Sequence, residues 1–387
     1  MQTSTAVLLA TALAALAPEA IAQTPAAGDS APPPKPSLFK DPEDGAFDVG
    51  GWVATRRGIL PVPSIITEPA VGYGGAVALI LIHGGGLGGV RDAPPGVTGK
   101  PVPPDISALA GAATENGTWA AFAAHMGYWG GDRWRYMGVA GYISPQLDTY
   151  DAQGRAYGFN LAGWLVYQEM KLRVARSNLF LGGRFLYSDA TTRFTSGLAP
   201  KDVPALESRT IDSGLGPVAE LDSRDSTFTP SRGVQIKASA LFYGPYLGGD
   251  HAYERYTGDA RFYWDVSPRL VLAARVAAQS VAGDAPFYSR PFVKLRGIPT
   301  MRYQGETVVT LDSEARWGLT KRWWLVAFAG AGWTDAGSAT ALADTSVHSG
   351  GFGGRYVLAR ALGLQAGLDV AKGPEQWAVY VVFGSSW

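Results

Sequence analysis

Cysteine is absent from this chain. Its absence excludes disulfides, thiolate nucleophiles and cysteine-based zinc or iron–sulfur sites. Charge is scarce as well: 17% of the 387 residues are charged and the formal net charge is +0. No basic patch could neutralise a run of phosphates, which argues against a nucleic-acid partner. The four histidines (His83, His125, His251, His348) are scattered, without the i,i+4 spacing of a metal pair. No Gly-x-Ser-x-Gly elbow occurs. The glycine runs Gly84–Gly89 and Gly350–Gly354 lack the strand–turn–helix setting of a phosphate loop and read as loop and wall glycines. The chain is therefore not expected to be an enzyme, and no catalytic residue, cofactor or metal is expected.

Long hydrophobic runs are missing too. Ala6–Ala17 is a short apolar core, and Ala20-Ile21-Ala22 before Gln23 is a small-x-small cleavage site, so residues 1–22 read as a secretory signal. Beyond it, the longest strongly apolar patch is Val77–Ile82, which has the length of a strand and not of a membrane helix. Residues 23–46 are rich in Pro, Ala and Asp, as expected of an extended or disordered periplasmic leader.

What the chain does have is glycine and aromatic residues: 50 Gly, 12 Trp and 17 Tyr. That mixture suits a β-barrel, where Gly relieves crowding and Trp and Tyr settle at lipid–water interfaces. From residue 47 to Trp387 strand-like runs of about ten residues recur without a domain break. Fourteen strands are readable, near 71–82, 117–127, 133–143, 156–168, 177–188, 211–222, 232–243, 253–266, 269–281, 306–317, 322–333, 349–358, 362–371 and 376–387. Asp48–Arg57 and Ile59–Thr67 supply two more, although Pro61 and Pro63 are awkward in a ladder. An even total is required, and sixteen is the expected count. In the strand Thr307–Trp317 the charged and polar residues Thr310, Asp312, Glu314 and Arg316 share one face. A soluble sheet rarely stacks so many charges on one face of an interior strand, whereas a barrel with a polar lumen needs them there.

Connection lengths suggest an orientation. Gly130-Gly131-Asp132, Ser267-Pro268 and Gly318–Lys321 are tight turns of periplasmic type, and His83–Asn116, 189–209 and 334–348 are long loops of extracellular type. On this pattern 71–82 runs outward, and the loop 282–305 is extracellular.

Four segments resemble the BamA/TamA (bacterial surface antigen) family of outer-membrane barrels, over roughly residues 48–387. Leu295-Arg296-Gly297-Ile298 is similar to the family's Val-Arg-Gly-Phe/Tyr motif in its long sixth extracellular loop. Leu311-Asp312-Ser313-Glu314-Ala315-Arg316 is similar to the Glu-x-Arg of the next strand. Asp222, Arg224 and Asp225, with Pro230 and Gly233, match a periplasmic turn. The last strand, Trp377–Trp387, ends on an aromatic residue, and with Phe383 resembles the C-terminal signal read by the assembly machinery. The resemblance implies that the long loop folds into the lumen. Arg296 would then be clamped by acidic residues of the wall, with Asp312, Glu314 and Asp369 as candidates, while Gly297 permits the tight backbone beside it. Two positions depart from the pattern: Ile298 stands where the family has an aromatic, and Gly330 stands at its Phe-x-Asp-x-Gly acid.

The implied fold is an all-β transmembrane antiparallel barrel, residues 47–387, in the outer membrane of a Gram-negative bacterium. The segment 23–46 is too short for a POTRA module, so the chain looks like a barrel-only branch. The implied function is translocation or insertion of protein or lipid; the alternative is a plugged pore or surface structural protein passing small solutes. Implied partners are outer-membrane lipid and lipopolysaccharide, the assembly machinery during insertion, and an unidentified periplasmic partner.

Overall fold

The computed structural model describes residues 38–55, 59–83, 96–98, 102–195, 207–226, 229–337, 342–360 and 363–387. The signal segment 1–22 and the leader up to residue 37 lie outside the described residues.

Alternating patterns of the kind seen in 307–317 dominate the rest of the chain, and they build one antiparallel meander. Its strands are β1 (Ile59–Ile66), β2 (Gly74–Ile82), β3 (Ile106–Thr114), β4 (Trp119–Trp129), β5 (Trp134–Ser144), β6 (Gln146–Tyr150), β7 (Ala156–Arg173) and β8 (Leu179–Phe194). These are followed by β9 (Glu207–Asp222), β10 (Gly233–Tyr243), β11 (Tyr253–Ser267), β12 (Leu270–Gly283) and β13 (Thr307–Gly318). Then come β14 (Trp323–Asp335), β15 (Thr345–Ala359), β16 (Leu364–Lys372) and β17 (Trp377–Phe383). Each strand pairs with its sequence neighbours, as in β8–β9 and β13–β14. β5 and β6 both pair with β7 and are one wall strand interrupted at Pro145, which cannot donate to a ladder. The wall thus has sixteen strands.

Inward and outward faces separate as the polar-lumen reading requires. Along β13, Thr310, Asp312, Glu314 and Arg316 are buried inside, while Leu311 and Trp317 are exposed outside. Trp129, Trp134, Trp264, Trp317 and Trp323 stand exposed beside the tight turns, and Tyr73, Trp119, Tyr246, Trp333 and Trp377 form a second exposed set toward the other end. Two such belts bracket the band of a barrel that meets hydrocarbon.

Several expectations are corrected. The sixteenth strand is not Asp48–Arg57, since Gly50–Thr55 is a short helix, α1. Asp48 starts it, accepting from the Gly50 amide at 2.7 Å. The strand that completes the count is β3, which lies inside the stretch 83–116 read as one long loop. Its small-residue sequence, Ile106 to Thr114, carries little apolar contrast and so looks like linker. Of what remains of that loop, the described residues 83, 96–98 and 102–105 sit at the tight-turn end. There Val97 donates to the Gly131 carbonyl at 2.9 Å, and Asp105 accepts from Tyr128 N at 2.7 Å and Trp129 Nε1 at 3.1 Å. β2 therefore runs toward the tight turns, opposite to the direction first assigned. The motif loop, 284–306, remains at the far end.

The last nine residues of the leader are also ordered. Asp41, Asp44 and Asp48 converge on Arg322, in the β13–β14 turn, with contacts of 2.7–2.8 Å. Arg360 holds Asp41 at 2.9 Å and pairs with Glu43. Val49 and Trp52 then pack against the inward side chains Leu60, Ile80 and Ala108. Residues 38–55 are thus strapped across the tight-turn mouth of the lumen. The guanidinium of Arg322 holds the Asp44 carboxyl down at about 2.

A latched lumen and an unpaired seam

The loop between β12 and β13 enters the barrel because its own side chains are partly apolar and the wall is hollowed to receive them. Val293, Leu295 and Ile298 are buried against Val308 and Val347. The facing positions on β14 are glycines. A Cβ at Gly330 would lie 2.7 Å from Leu295 Cδ2, and one at Gly332 would overlap Val293. Gly330 therefore explains its own departure from the family pattern: the space of the missing acid is filled by Leu295. Ile298 replaces the aromatic with an aliphatic contact in the same apolar cluster.

Arg296 reaches the wall from this anchored backbone. Its Nη1 donates to Asp369 Oδ2 at 2.7 Å, and its Nη2 lies 2.9 Å from Glu314 Oε2 as an ion pair off the hydrogen-bond axis. Asp312 stands further off, at 3.9 Å. The guanidinium carbon sits 3.4 Å over the Phe328 ring, a stacked cation–π contact. Two more arginines complete the group. Arg355 clamps Asp369 bidentately at 2.6 and 2.9 Å, and Arg316 holds Glu314 at 2.7 Å. Three guanidiniums thus face three carboxylates, which pairs opposite charges in a site where Asp369 is fully buried.

Gly297 takes φ +88°, and a Cβ there would lie 2.8 Å from the Gly373 amide nitrogen. Only glycine meets both conditions without strain. Its N–H donates to the Tyr380 hydroxyl at 2.8 Å. At the loop's outer edge Arg302 clamps Glu375 at 2.6–3.0 Å, and Tyr303 donates to the same carboxylate. Asp369, Gly373, Glu375 and Tyr380 all belong to the β16–β17 hairpin, so the loop grips the end of the wall.

The C-terminus differs from expectation. β17 ends at Phe383, and Gly384, at φ +70°, turns the last residues inward. Trp387 is therefore not the outward terminus of a strand. Its indole Nε1 donates to Asp312 at 2.9 Å, and the Ser386 hydroxyl donates to Glu314 at 3.1 Å. The tail thus docks on the same carboxylates as Arg296. Alternation alone could not reveal this, because a turn after Phe383 leaves the outward pattern of Trp377, Val379 and Val381 intact.

The remaining sequence-derived residues form a turn. Arg224 bridges Asp222 with bonds of 2.9 and 2.7 Å, and Asp225 accepts from the Ser231 and Arg232 amides at 2.9 and 3.2 Å. The turn is joined to the latch wall by Arg316 Nη1, which donates to the Pro230 carbonyl at 3.0 Å.

Between β1 and β17 the ladder stops. Among the described residues no strand pairing joins them, and the Val381 amide donates to the Thr67 hydroxyl at 3.2 Å. The cause is visible in β1. Its ladder with β2 runs unbroken from Ile59 to Ile66, through Pro61 and Pro63. Proline survives in a ladder only where its donor-less nitrogen points away from the neighbour. Both therefore face the seam, and the edge of β1 lacks two donors that a partner strand would need. Behind the seam lies a chamber of about 450 Å³, lined by Ile65–Glu68 on one side and Tyr380–Phe383 on the other.

A sixteen-stranded barrel with a loop latched in its lumen and an unpaired first–last seam defines the class. Residues 192–354 match the Omp85 superfamily domain. The barrel is similar to BamA from Haemophilus ducreyi lacking POTRA domains 1–3, at TM-score 0.58 and 12% identity over 85% of this chain and 70% of that one. It is similar to CdiB from Escherichia coli, at 0.58 and 11% over 84% of this chain and 61% of that one. CdiB from Acinetobacter baumannii gives 0.57 and 10%, over 84% and 59%. The chain thus spans about three-fifths of the two CdiB chains. No curated protein sequence matches it. The match of residues 192–354 to the Omp85 superfamily domain is in keeping with the BamA/TamA resemblance of the motifs.

Proposed function

We propose that this chain works in the outer membrane of a Gram-negative bacterium, with its tight turns in the periplasm, and moves protein or lipid into or across that membrane without enzymatic chemistry. The reading rests on one observation: the seam between β1 and β17 is unpaired, opens on an interior chamber, and has one wall gripped by the latched loop. Traffic through a seam needs an edge that parts at low cost, and a ladder of backbone hydrogen bonds would oppose it. Such a barrel reaches the membrane through the assembly machinery, sits among outer-membrane lipid and lipopolysaccharide, and receives cargo from a periplasmic partner at the mouth covered by residues 38–55. The two prolines weaken β1 as a template for an incoming strand, which favours cargo that does not pair with the wall.

A cysteine pair, Thr67→Cys with Val381→Cys, tests the reading. Oxidised, the pair should close the seam and abolish the growth or envelope function lost on deleting the gene, and reduction should restore it. Full function with the seam locked would sink the proposal. The second reading, a plugged pore, is favoured by the loop lying across a chambered lumen. In planar bilayers it requires steady currents that rise in Arg296→Ala, whereas a silent barrel that co-purifies with a periplasmic partner supports the first.

A further inference from the structure

The chamber behind the seam is not chemically uniform. Toward the seam it is lined by Ile65, Ile66, Val382 and Phe383. The opposite wall, built by β10, β11 and β12 with the root of the loop, presents Lys237, Arg261, Arg275 and Lys294. These cations outnumber the carboxylates near them. Arg261 and Arg275 share Asp259, at 2.7 and 2.6 Å. Lys237 lies 3.3 Å from Glu220, which already pairs with Lys171, and Lys171 in turn shares Glu169 with Arg184. Lys294 faces Arg261 and Arg275 as well as Glu68. The other chamber cations are matched, Arg224 by Asp222 and Arg296 by the latch carboxylates. Arg261 and Arg275 with one carboxylate, and Lys237, Lys171 and Arg184 with two, are each one carboxylate short, which leaves two positive charges over.

This surplus is open to a ligand. The Lys237 side chain keeps 45% of its surface exposed although the barrel wall encloses it, so it is exposed to the chamber. A phosphate monoester carries about one and a half to two negative charges and three acceptor oxygens, which matches the surplus in both charge and donor count. A free anion accounts for the cationic wall alone. An amphiphile accounts for the whole chamber: its headgroup meets Lys237, Arg261, Arg275 and Lys294, while its chains lie against Ile65, Ile66, Val382 and Phe383 toward the seam.

We propose that the chamber is a binding site for a phosphate-bearing group, supplied by a membrane amphiphile that enters through the seam. The inference names a cargo or regulator class for the proposed traffic and rests on that reading for its physiological sense, but binding itself can be measured with no traffic at all. The test uses the full chain in mixed detergent micelles containing dioleoyl phosphatidic acid or dioleoyl phosphatidylcholine, read by native mass spectrometry. Phosphatidic acid should be retained over phosphatidylcholine. The double variant Lys237→Gln, Arg275→Gln should weaken retention about a hundredfold, tenfold per lost charge-assisted contact. Both substitutions lie outside the latch, and heat-modifiable gel mobility shows whether the variant barrel is folded. If it is not, the single variant Lys237→Gln, whose head is exposed to the chamber, carries the test with a tenfold expectation. Inorganic pyrophosphate distinguishes the sources: failure to displace the lipid supports the amphiphile, and displacement supports the phosphate site while assigning it a soluble ligand. Equal retention of the two lipids, or retention unchanged in the variants, overturns the proposal. A seam-locked barrel that still functions would remove the traffic reading but leave this binding result standing.

Discussion

β7 and β8 share fifteen paired positions, from Phe159–Phe194 to Arg173–Phe180, whereas β1 and β17 share no ladder. Both pairs belong to one wall, and the difference lies in what holds each together. The β7–β8 pair is held by its own backbone. The seam is held indirectly, by side chains: the loop holds Tyr380 of β17 through the Gly297 amide and Asp369 of the adjoining β16 through Arg296, and the far edge of β17 is left without a ladder. A wall strand secured from the lumen can lose its neighbour without losing its place.

The largest effect should come from removing that internal support. Arg296→Ala strands Glu314 and Asp369 with fewer partners in a buried site and should cost about 3–5 kcal/mol. A thermal melt of the purified barrel in detergent checks this, and an unchanged midpoint would mean that Arg355 and Arg316 suffice. Next is Gly330→Asp, which restores the family's acid. It should destabilise by about 1–3 kcal/mol, because the new side chain collides with Leu295 in an already filled space. A stabilised protein would show instead that the loop can repack around a third acid.

Pro61→Thr with Pro63→Thr attacks the comparison from the other side. Two restored donors should let β1 pair with β17, at about 0.5–1.5 kcal/mol per hydrogen bond. Slower amide exchange on the seam edges would show it, and unaltered exchange would mean that the prolines are not what keeps the seam open. The smallest effect concerns the strap. The Arg322 guanidinium depresses the Asp44 carboxyl to about 2, and a hydrogen bond from the Arg360 guanidinium lowers Glu43. A depressed carboxylate favours docking above its ordinary pKa of about 4 and loses that contribution as pH falls through the folded value. Residues 38–55 should therefore stay protected from proteolysis at neutral pH and become cleavable as pH drops from about 4 toward 2, while the barrel stays folded.

Much of the wall could be read from the sequence because lumen and lipid impose opposite demands on neighbouring residues. Thr310, Asp312, Glu314 and Arg316 declare an inward face, and the Arg296-Gly297 pair declares the loop. The misreadings fall where that contrast fades. Ile106–Thr114 is mostly small residues, so its strand is silent, and with it went the direction of β2. Gly50–Thr55 is too short to show a helical period. Arg355, clamped on Asp369, could have been found by alternation along β15, but the dense glycines around it hide the face it belongs to. The chamber cations stand on four separate elements and have no local signature at all.

By itself, the sequence determined the class of fold and the strand parity, since both depend on residue order over a few positions, and the resemblance of its motifs pointed to the latch. Only the tertiary structure decided that Gly330 makes room for Leu295, that Trp387 turns inward onto Asp312, and that Pro61 and Pro63 face an unpaired seam. Those outcomes join residues far apart in the chain, and closing the barrel is what brings them within reach of one another.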